Sequence, residues 1–446
     1  MEKRDFFGND ILLEGKTAKT LYDMIKDLPI VDYHCHLNEK EIAANKTFSS
    51  LGELWLSGDH YKWRAMRLCG VDEYFITGEA SYDEKFQKYA EIFPLLCGSP
   101  LYYFTQLELK ILFGITLPLN AETAEEILQT ANEMLKTLSV SDILKKFHVE
   151  YIATTDDPTS SLSHHGKYGD TTVSPTFRPD RILTFDDAVL AELACTSGIA
   201  TDTLDGVKKA LSARIAYFKE QGCIIADHGM DFLPLADCNE ITAASLFDRR
   251  YTLDEKDLAR LVSHFQYYLA AEYQKNGMVL QLHFGTFRNV NSTMFQSVGR
   301  DAGFDIMRSC VDTDRLVHFL NTLYQRNALP KVILYSLNPA AVPSLCTLSG
   351  AFPNVRVGAA WWFNDCLQGI RKQLETIAEY AVLGTSLGML TDSRSFASYV
   401  RFDFFRRILA SFVGDLVDKG EYDLAAAKMI VTKIAYTNIK DYLSLS

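Results

Sequence analysis

The chain predicts a parallel (β/α)8 barrel, on two observations. After residue 148, short apolar runs alternate with helical patterns. Most of those runs stop at residues able to bind metal, shuttle protons or pair with an anion. Alternating strands and helices indicate a parallel sheet whose faces the helices cover. Counted with the run near residue 30 there are eight strands, enough to close a barrel. An open doubly wound sheet is the alternative, but no glycine-rich phosphate loop follows the first strand. At 446 residues, one barrel with an insertion fits as well as two separate domains.

The first strand ends in Ile30-Val31-Asp32-Tyr33-His34-Cys35-His36-Leu37. Side chains alternate along a strand, so His34 and His36 share one face and Cys35 points the other way. Residues 38–147 read as a mainly helical insertion, with 1–37 and 148–446 forming the barrel. Within the insertion, 82–93 and 121–138 carry apolar residues at helical spacing. Further strands are expected at 149–154, 172–177 (weakened by Pro175), 223–226, 278–282, 332–335, 355–359 and 387–390. Helical patterns fill 204–221, 253–275, 312–326 and 368–382, then 398–413 and 422–436 after the eighth strand.

Barrel active sites form at the C-terminal ends of the strands, and the polar residues gather there. The first strand ends in His34 and His36, the third runs into Arg178, the fourth into Asp227-His228-Gly229. The fifth ends in His283 followed by Arg288 and Asn289, the seventh runs into Trp361-Trp362-Phe363-Asn364-Asp365, the eighth ends in Asp392-Ser393-Arg394. Each alone reads equally well as a solvated strand end, and His283 as a core histidine. Their coincidence is the signal. His34, His36, His283 and Asp392 would supply three imidazoles and a carboxylate to one divalent ion, zinc by ligand type. His148, His264 and His318 read as ordinary, and His164-His165 as a solvent-exposed loop. The run Asp59-His60-Tyr61-Lys62-Trp63-Arg64 reads, from spacing alone, as an amphipathic surface helix.

Composition is that of a globular protein, 48% apolar and 23% charged. A net charge of −12 argues against nucleic acid and anionic membrane surfaces as partners. An anionic substrate therefore needs local arginines. Nine scattered cysteines with no C-x-x-C pair suit reduced thiols in a cytoplasm. The first residues do not resemble a signal peptide, and no apolar run reaches transmembrane length. A homo-oligomer is expected only because such assemblies are common.

The motifs Tyr33-His34-Cys35-His36, 59–66, 177–180, 281–291, 361–365 and 390–399 together resemble the uronate isomerase family of the amidohydrolase superfamily. The resemblance covers nearly the whole chain and implies a distorted (β/α)8 (TIM) barrel with a helical insertion. It implies aldose–ketose isomerisation of hexuronates, D-glucuronate with D-fructuronate and D-galacturonate with D-tagaturonate, through a cis-enediolate. Tyr61 with His60 would carry the acid/base chemistry. Tyr61 would need a cationic neighbour to lower its pKa, with His60, Lys62 or Arg394 as candidates. The metal or Arg394 would stabilise the oxyanion. Arg178 would pair with the substrate carboxylate, with Arg394 as the alternative. Trp361 and Trp362 would form an apolar wall, and Arg288 and Asn289 either contact substrate or brace their loop.

Two segments depart from the family pattern. Arg401-Phe402-Asp403-Phe404-Phe405-Arg406-Arg407 stands where the family has Arg-His-Glu-Tyr-Phe-Arg-Arg, and Tyr103-Phe104-Thr105-Gln106 where it has His-Trp-Thr-His. Two other functions fit the residues. One is a mononuclear metal-dependent hydrolase in which Asp392 shuttles the proton; residues 223–229 hold neither the Lys nor the Glu of a binuclear site. The other is a non-catalytic barrel that binds sugar acids, distinguished by binding without turnover.

Overall fold

The computed structural model describes residues 5–230, 238–309 and 312–445. Its strands are β1 (Ile30–Asp32), β2 (Val149–Ala153), β3 (Gly166–Tyr168), β4 (Thr171–Ser174), β5 (Thr176–Phe177), β6 (Ile225–Met230), β7 (Val279–Phe284), β8 (Thr286–Phe287), β9 (Ile306–Met307), β10 (Lys331–Ser336) and β11 (Val355–Val357). Parallel pairing runs β1–β2–β4 in one sheet and β5–β6–β7–β10–β11 in another. β4 and β5 are the two halves of the expected third strand. Pro175 has no N–H to donate, so the ladder changes partner at that residue. An isolated parallel bridge from Asp156 to Phe177 spans the join.

The expected eighth strand, 387–390, forms no ladder. Gly388 (φ +76°) and Asp392 (φ +45°) turn the backbone out of the extended region. The chain is held against β1 by other means. Thr391 donates its N–H and hydroxyl to the Asp32 carboxylate at 2.9 and 2.6 Å. Asp392 N–H then donates to the His34 carbonyl (3.1 Å), and His36 N–H to the Ser393 carbonyl (3.0 Å). The eight positions thus keep the order of the expected barrel, distorted at its last strand.

Helices lie between the strands close to where the periodicity placed them, as at Leu204–Glu220, Glu255–Lys275, Thr313–Gln325 and Leu367–Tyr380. The helix expected from 121 begins at Ala124, because the Asn120 side chain accepts from the Glu122 and Thr123 amides in a turn of its own. One reading fails outright. His165 is not exposed: its ring is buried against Thr154 (2.8 Å) and Asp156 (3.4 Å), because β3 folds back antiparallel on β4. Among the described residues no helix is long and apolar enough to cross a membrane.

Between β1 and β2 the chain is helical throughout, with only an isolated bridge between Thr47 and Ser139. Its aromatic residues share one core with the helix Val400–Asp418. Tyr103 and Phe104 meet Phe404 at ring distances of 5.4 and 5.3 Å. The two departures from the family pattern are therefore in contact with each other. This core carries the helix His60–Leu68, whose N-cap is Asp59: its carboxylate accepts from the Tyr61 and Lys62 amides. Lys62 Nζ lies 2.8 Å from Asp59, with Glu108 at 3.8 Å, all three buried. The run thus lies on a half-buried helix: Lys62 faces the core, and Arg64 and Arg67 reach carbonyls of residues 302–305, so its basic residues do not form the solvent face that spacing alone suggests.

A buried pair that loses one partner leaves an uncompensated charge, so Asp59→Ala is expected to cost roughly 3–5 kcal/mol. Asp59→Asn keeps a capping acceptor and should lose about 1 kcal/mol less. Urea denaturation of the two variants checks the ordering.

Candidate active site

The C-terminal ends of the strands surround a cleft of about 620 Å³. His34, His36, His60, Arg178, His283, Arg288, Trp361, Trp362, Asp392 and Arg394 all border it. Tyr61 does not.

Its centre is Asp392. One carboxylate oxygen lies 3.2 Å from Nε2 of both His34 and His36. The other accepts from Trp361 Nε1 at 2.7 Å. Burial alone would raise this carboxyl, but the two imidazoles outweigh it and hold it well below the usual carboxylate range. Asp392 is thus a charged acceptor, and its left-handed backbone is what turns it toward β1.

A second carboxylate, Asp227 at the end of β6, is fully buried. It accepts from His283 Nδ1 at 2.6 Å and from Arg178 Nη1 at 2.9 Å, and lies 3.8 Å from His34 Nδ1. Burial pushes it up, but Arg178 and the two histidines outweigh burial and keep it ionised. The bond fixes the His283 tautomer. Burial lowers the pKa of this ring despite Asp227, so it is neutral, with its proton on Nδ1. Its Nε2 is buried without a hydrogen-bond partner among the described residues. Tyr335 stacks on the ring at 4.2 Å with 7° between planes. Gly358 makes room for that phenol, since a Cβ there would meet it at 2.0 Å.

His34, His36 and Asp392 form one group able to hold a metal ion; His34, Asp227 and His283 form another. The donors fit such an ion. They are imidazole nitrogens and one carboxylate, and His283 offers a free lone pair while its other nitrogen is oriented by a carboxylate.

Across the cleft, Arg394 donates to His60 Nδ1 at 3.2 Å and to Asp301 at 3.1 Å. Burial first, then Arg394, bring the His60 pKa down to about 4. His60 is therefore neutral, with Nδ1 as acceptor and its proton on Nε2. Tyr61 stacks on His60 at 5.1 Å, but its hydroxyl donates to Asp365 at 3.1 Å. Burial and Asp365 hold this phenol well above its usual range. The cation expected beside Tyr61 from His60, Lys62 or Arg394 is instead Arg401, whose guanidinium lies 4.9 Å from the ring. His60 is neutral, Lys62 is taken by Asp59, and Arg394 is engaged with His60 and Asp301.

Other expected residues are also tied down. Arg178 commits Nε to Asp180 and Nη1 to Asp227. Trp361 is a hydrogen-bond donor to Asp392 as well as a wall, and Trp362 meets His60 edge-on at 5.2 Å. Trp362 and Phe363 have positive φ, and the Asn364 amide pins their turn by donating to the carbonyls of Leu337, Trp361 and Trp362. Arg288 reaches Asp305 at 3.4 Å, and the same carboxylate accepts from Asn289 N–H at 2.6 Å, which braces the loop. Sequence reasoning placed Asp227 and Asp365 at strand ends without giving either a role, and gave none to Asp301 or Arg401. Asp227 and Asp365 do follow apolar runs, the usual mark of a site residue, but nothing in the sequence tells which cations they meet.

Known proteins resemble this chain over nearly its whole length. The glucuronate isomerase family pattern matches residues 3–443. The uronate isomerase of Geobacillus thermodenitrificans is 41% identical over 465 residues, 99% of this chain and 99% of its own. The crystal structure of the Thermotoga maritima uronate isomerase superposes with a TM-score of 0.95 at 34% identity, over 99% of this chain and 100% of that one. The glucuronate isomerase of Caulobacter crescentus gives 0.93 at 26% identity, over 99% and 97%. The fold, the cleft and these full-length matches agree: the chain belongs to the glucuronate isomerase family.

Proposed function

We propose that this protein is a uronate isomerase that interconverts D-glucuronate with D-fructuronate and D-galacturonate with D-tagaturonate through a cis-enediolate. The observation that carries the reading is the meeting of Asp392, Arg394 and a neutral His60 in one cleft of a full-length family member. Isomerisation needs a proton taken from C2 and returned to C1, and another moved between O2 and O1. His60 offers Nε2–H to a substrate oxygen. Arg394, aligned by Asp301, faces the negative charge that develops on that oxygen. The family resemblance gives the acid/base role for the carbon-bound proton to Tyr61 with His60; Tyr61 stacks behind His60, and its hydroxyl would have to turn from Asp365 to reach substrate. Trp362 flanks His60 and limits the orientations of the sugar.

One divalent ion, zinc by ligand type, would be held by His34, His36 and Asp392 with His283 beside them, and would polarise a substrate oxygen. Arg178 remains the first candidate for the substrate carboxylate, with Arg394 the second. The negative net charge makes such local arginines necessary. The eight described cysteines are all unpaired, which supports a reducing compartment, the cytoplasm. A second copy of the chain is the expected partner only on the frequency of homo-oligomers.

The direct test is incubation with D-glucuronate and D-galacturonate, followed by detection of 2-keto products. Binding without turnover at any metal loading would reject the isomerase. Run in D2O, the ketose should carry deuterium at C1. Complete retention of the C2 hydrogen, with Tyr61→Phe fully active, would favour hydride shift instead.

His34→Asn and His36→Asn should each lose bound metal by elemental analysis; unchanged stoichiometry rejects the ligand set. Arg178→Met should cost roughly 2–5 kcal/mol in kcat/KM, because a buried charge pair loses one partner. If Arg178 binds the carboxylate, the loss falls mainly in KM, and Arg394→Met falls mainly in kcat; the reverse pattern exchanges the two roles.

A further inference from the structure

Four of the five arginines that border the cleft are already committed to acids. Arg178 meets Asp180 and Asp227, Arg181 meets Asp157, Arg288 meets Asp305 and Arg394 meets Asp301, at 2.8 to 3.4 Å. Arg300 is the fifth. It lines the cleft, is exposed, and has no ion-pair or hydrogen-bond partner among the described residues.

We propose that Arg300 is the cation that a hexuronate carboxylate meets at the solvent side of the cleft: it draws the anion in and strengthens its binding, and takes no part in the chemistry. The inference rests on the isomerase reading above. It gives the substrate anion a partner besides Arg178 and Arg394.

An unpaired arginine on an open surface is an ordinary solvated charge, and two observations set this one apart. The first is where its backbone is fixed. Gly299 (φ +90°) and Asp301 (φ +56°) turn the chain on either side of Arg300. The turn is then fastened to the two groups that the reaction uses. Asp301 accepts from Arg394 Nη2 at 3.1 Å. Arg67 Nη1 donates to the Ala302 carbonyl, and Arg64 Nη1 to the carbonyls of Gly303 and Asp305 at 3.0 and 3.1 Å. A Cβ at Gly303 would meet the His60 carbonyl at 3.1 Å, so the turn lies directly on the start of the helix that carries His60. Arg300 therefore stands at a set place relative to His60 and Arg394, although its own side chain is free.

The second observation is electrostatic. A guanidinium beside a carboxylate has its field largely cancelled a short distance away, and an exposed pair is screened further by salt. The other four arginines are in that position. An unpaired cation keeps its attraction for an arriving anion, and a charge at the rim of a site acts mainly on association and on its salt dependence. The protein carries a net charge of −12, so an anion approaching from solvent gains only from such local charge.

The test compares four variants with the parent, using D-glucuronate. Arg300→Met should lower kcat/KM about 3- to 10-fold through KM, with kcat and bound metal little altered. Arg300→Lys should keep most of the parent value, because a point charge suffices, and Arg300→Glu should fall below Arg300→Met. Lys433 is exposed and outside the cleft lining. Lys433→Met changes the net charge by the same amount as Arg300→Met and should leave kcat/KM unchanged. The gap between the parent and Arg300→Met should close near 1 M salt, where the Debye length falls to about 3 Å. A kcat/KM for Arg300→Met within about 1.5-fold of the parent, an equal loss in Lys433→Met, a loss confined to kcat, or a gap that salt does not close overturns the proposal. If the parent turns over neither uronate, the isomerase reading fails on its own. Isothermal titration with D-glucuronate then decides the role of Arg300: weaker binding by Arg300→Met than by the parent supports it, and binding by the parent that is no tighter overturns it.

Discussion

The site depends on how residues 391–393 are fastened to the end of β1. Asp32 takes both donors of Thr391, and two backbone hydrogen bonds follow, Asp392 to His34 and Ser393 to His36. This side-chain and backbone contact replaces a strand ladder. Burial pushes Asp32 up to about 7 against the Thr391 hydrogen bonds, which shows how far the carboxyl has been withdrawn from water. With the fastening in place, the left-handed backbone of Asp392 puts one carboxylate between His34 and His36.

Around that centre, three buried carboxylates meet cations or imidazoles: Asp227 meets Arg178 and His283, Asp365 meets Arg401, and Asp59 meets Lys62. Isolated buried charges are costly, and removal of one partner strands the other. The same pairing orients the chemistry. Asp227 selects the tautomer of His283, and Arg394 selects that of His60. The chain is acidic overall, and five arginines border the cleft among six aspartates, so positive charge at the site is placed locally, residue by residue. The two departures from the family pattern belong to the same scheme. Phe104 packs on Phe404 and also faces Arg401, so a change in one segment is felt by the other and by the guanidinium behind Tyr61.

Periodicity alone determined most of the strands, the helices between them and the all-helical stretch before β2, because burial on both faces writes long apolar runs into a parallel sheet. Strand ends located His34, His36, His283, Arg178, Trp361, Asp392 and Arg394 at one mouth, because the alternation of side chains and the polarity of the barrel send such residues to a common end. The resemblance drew in His60, which borders the cleft, and Tyr61, which stacks behind it. What only the tertiary structure decided was which groups touch. The eighth strand gave way to a turn at Gly388 and Asp392, a local preference overruled by the contact with β1. His165, in a polar loop, became buried once β3 paired with β4. Tyr61 acquired Arg401, more than three hundred residues away, in place of the cations next to it in the chain, and Arg178 acquired Asp227. Such pairs carry no sequence signal, because hydrogen bonding and charge pairing act through space and spacing along the chain reports only one element at a time.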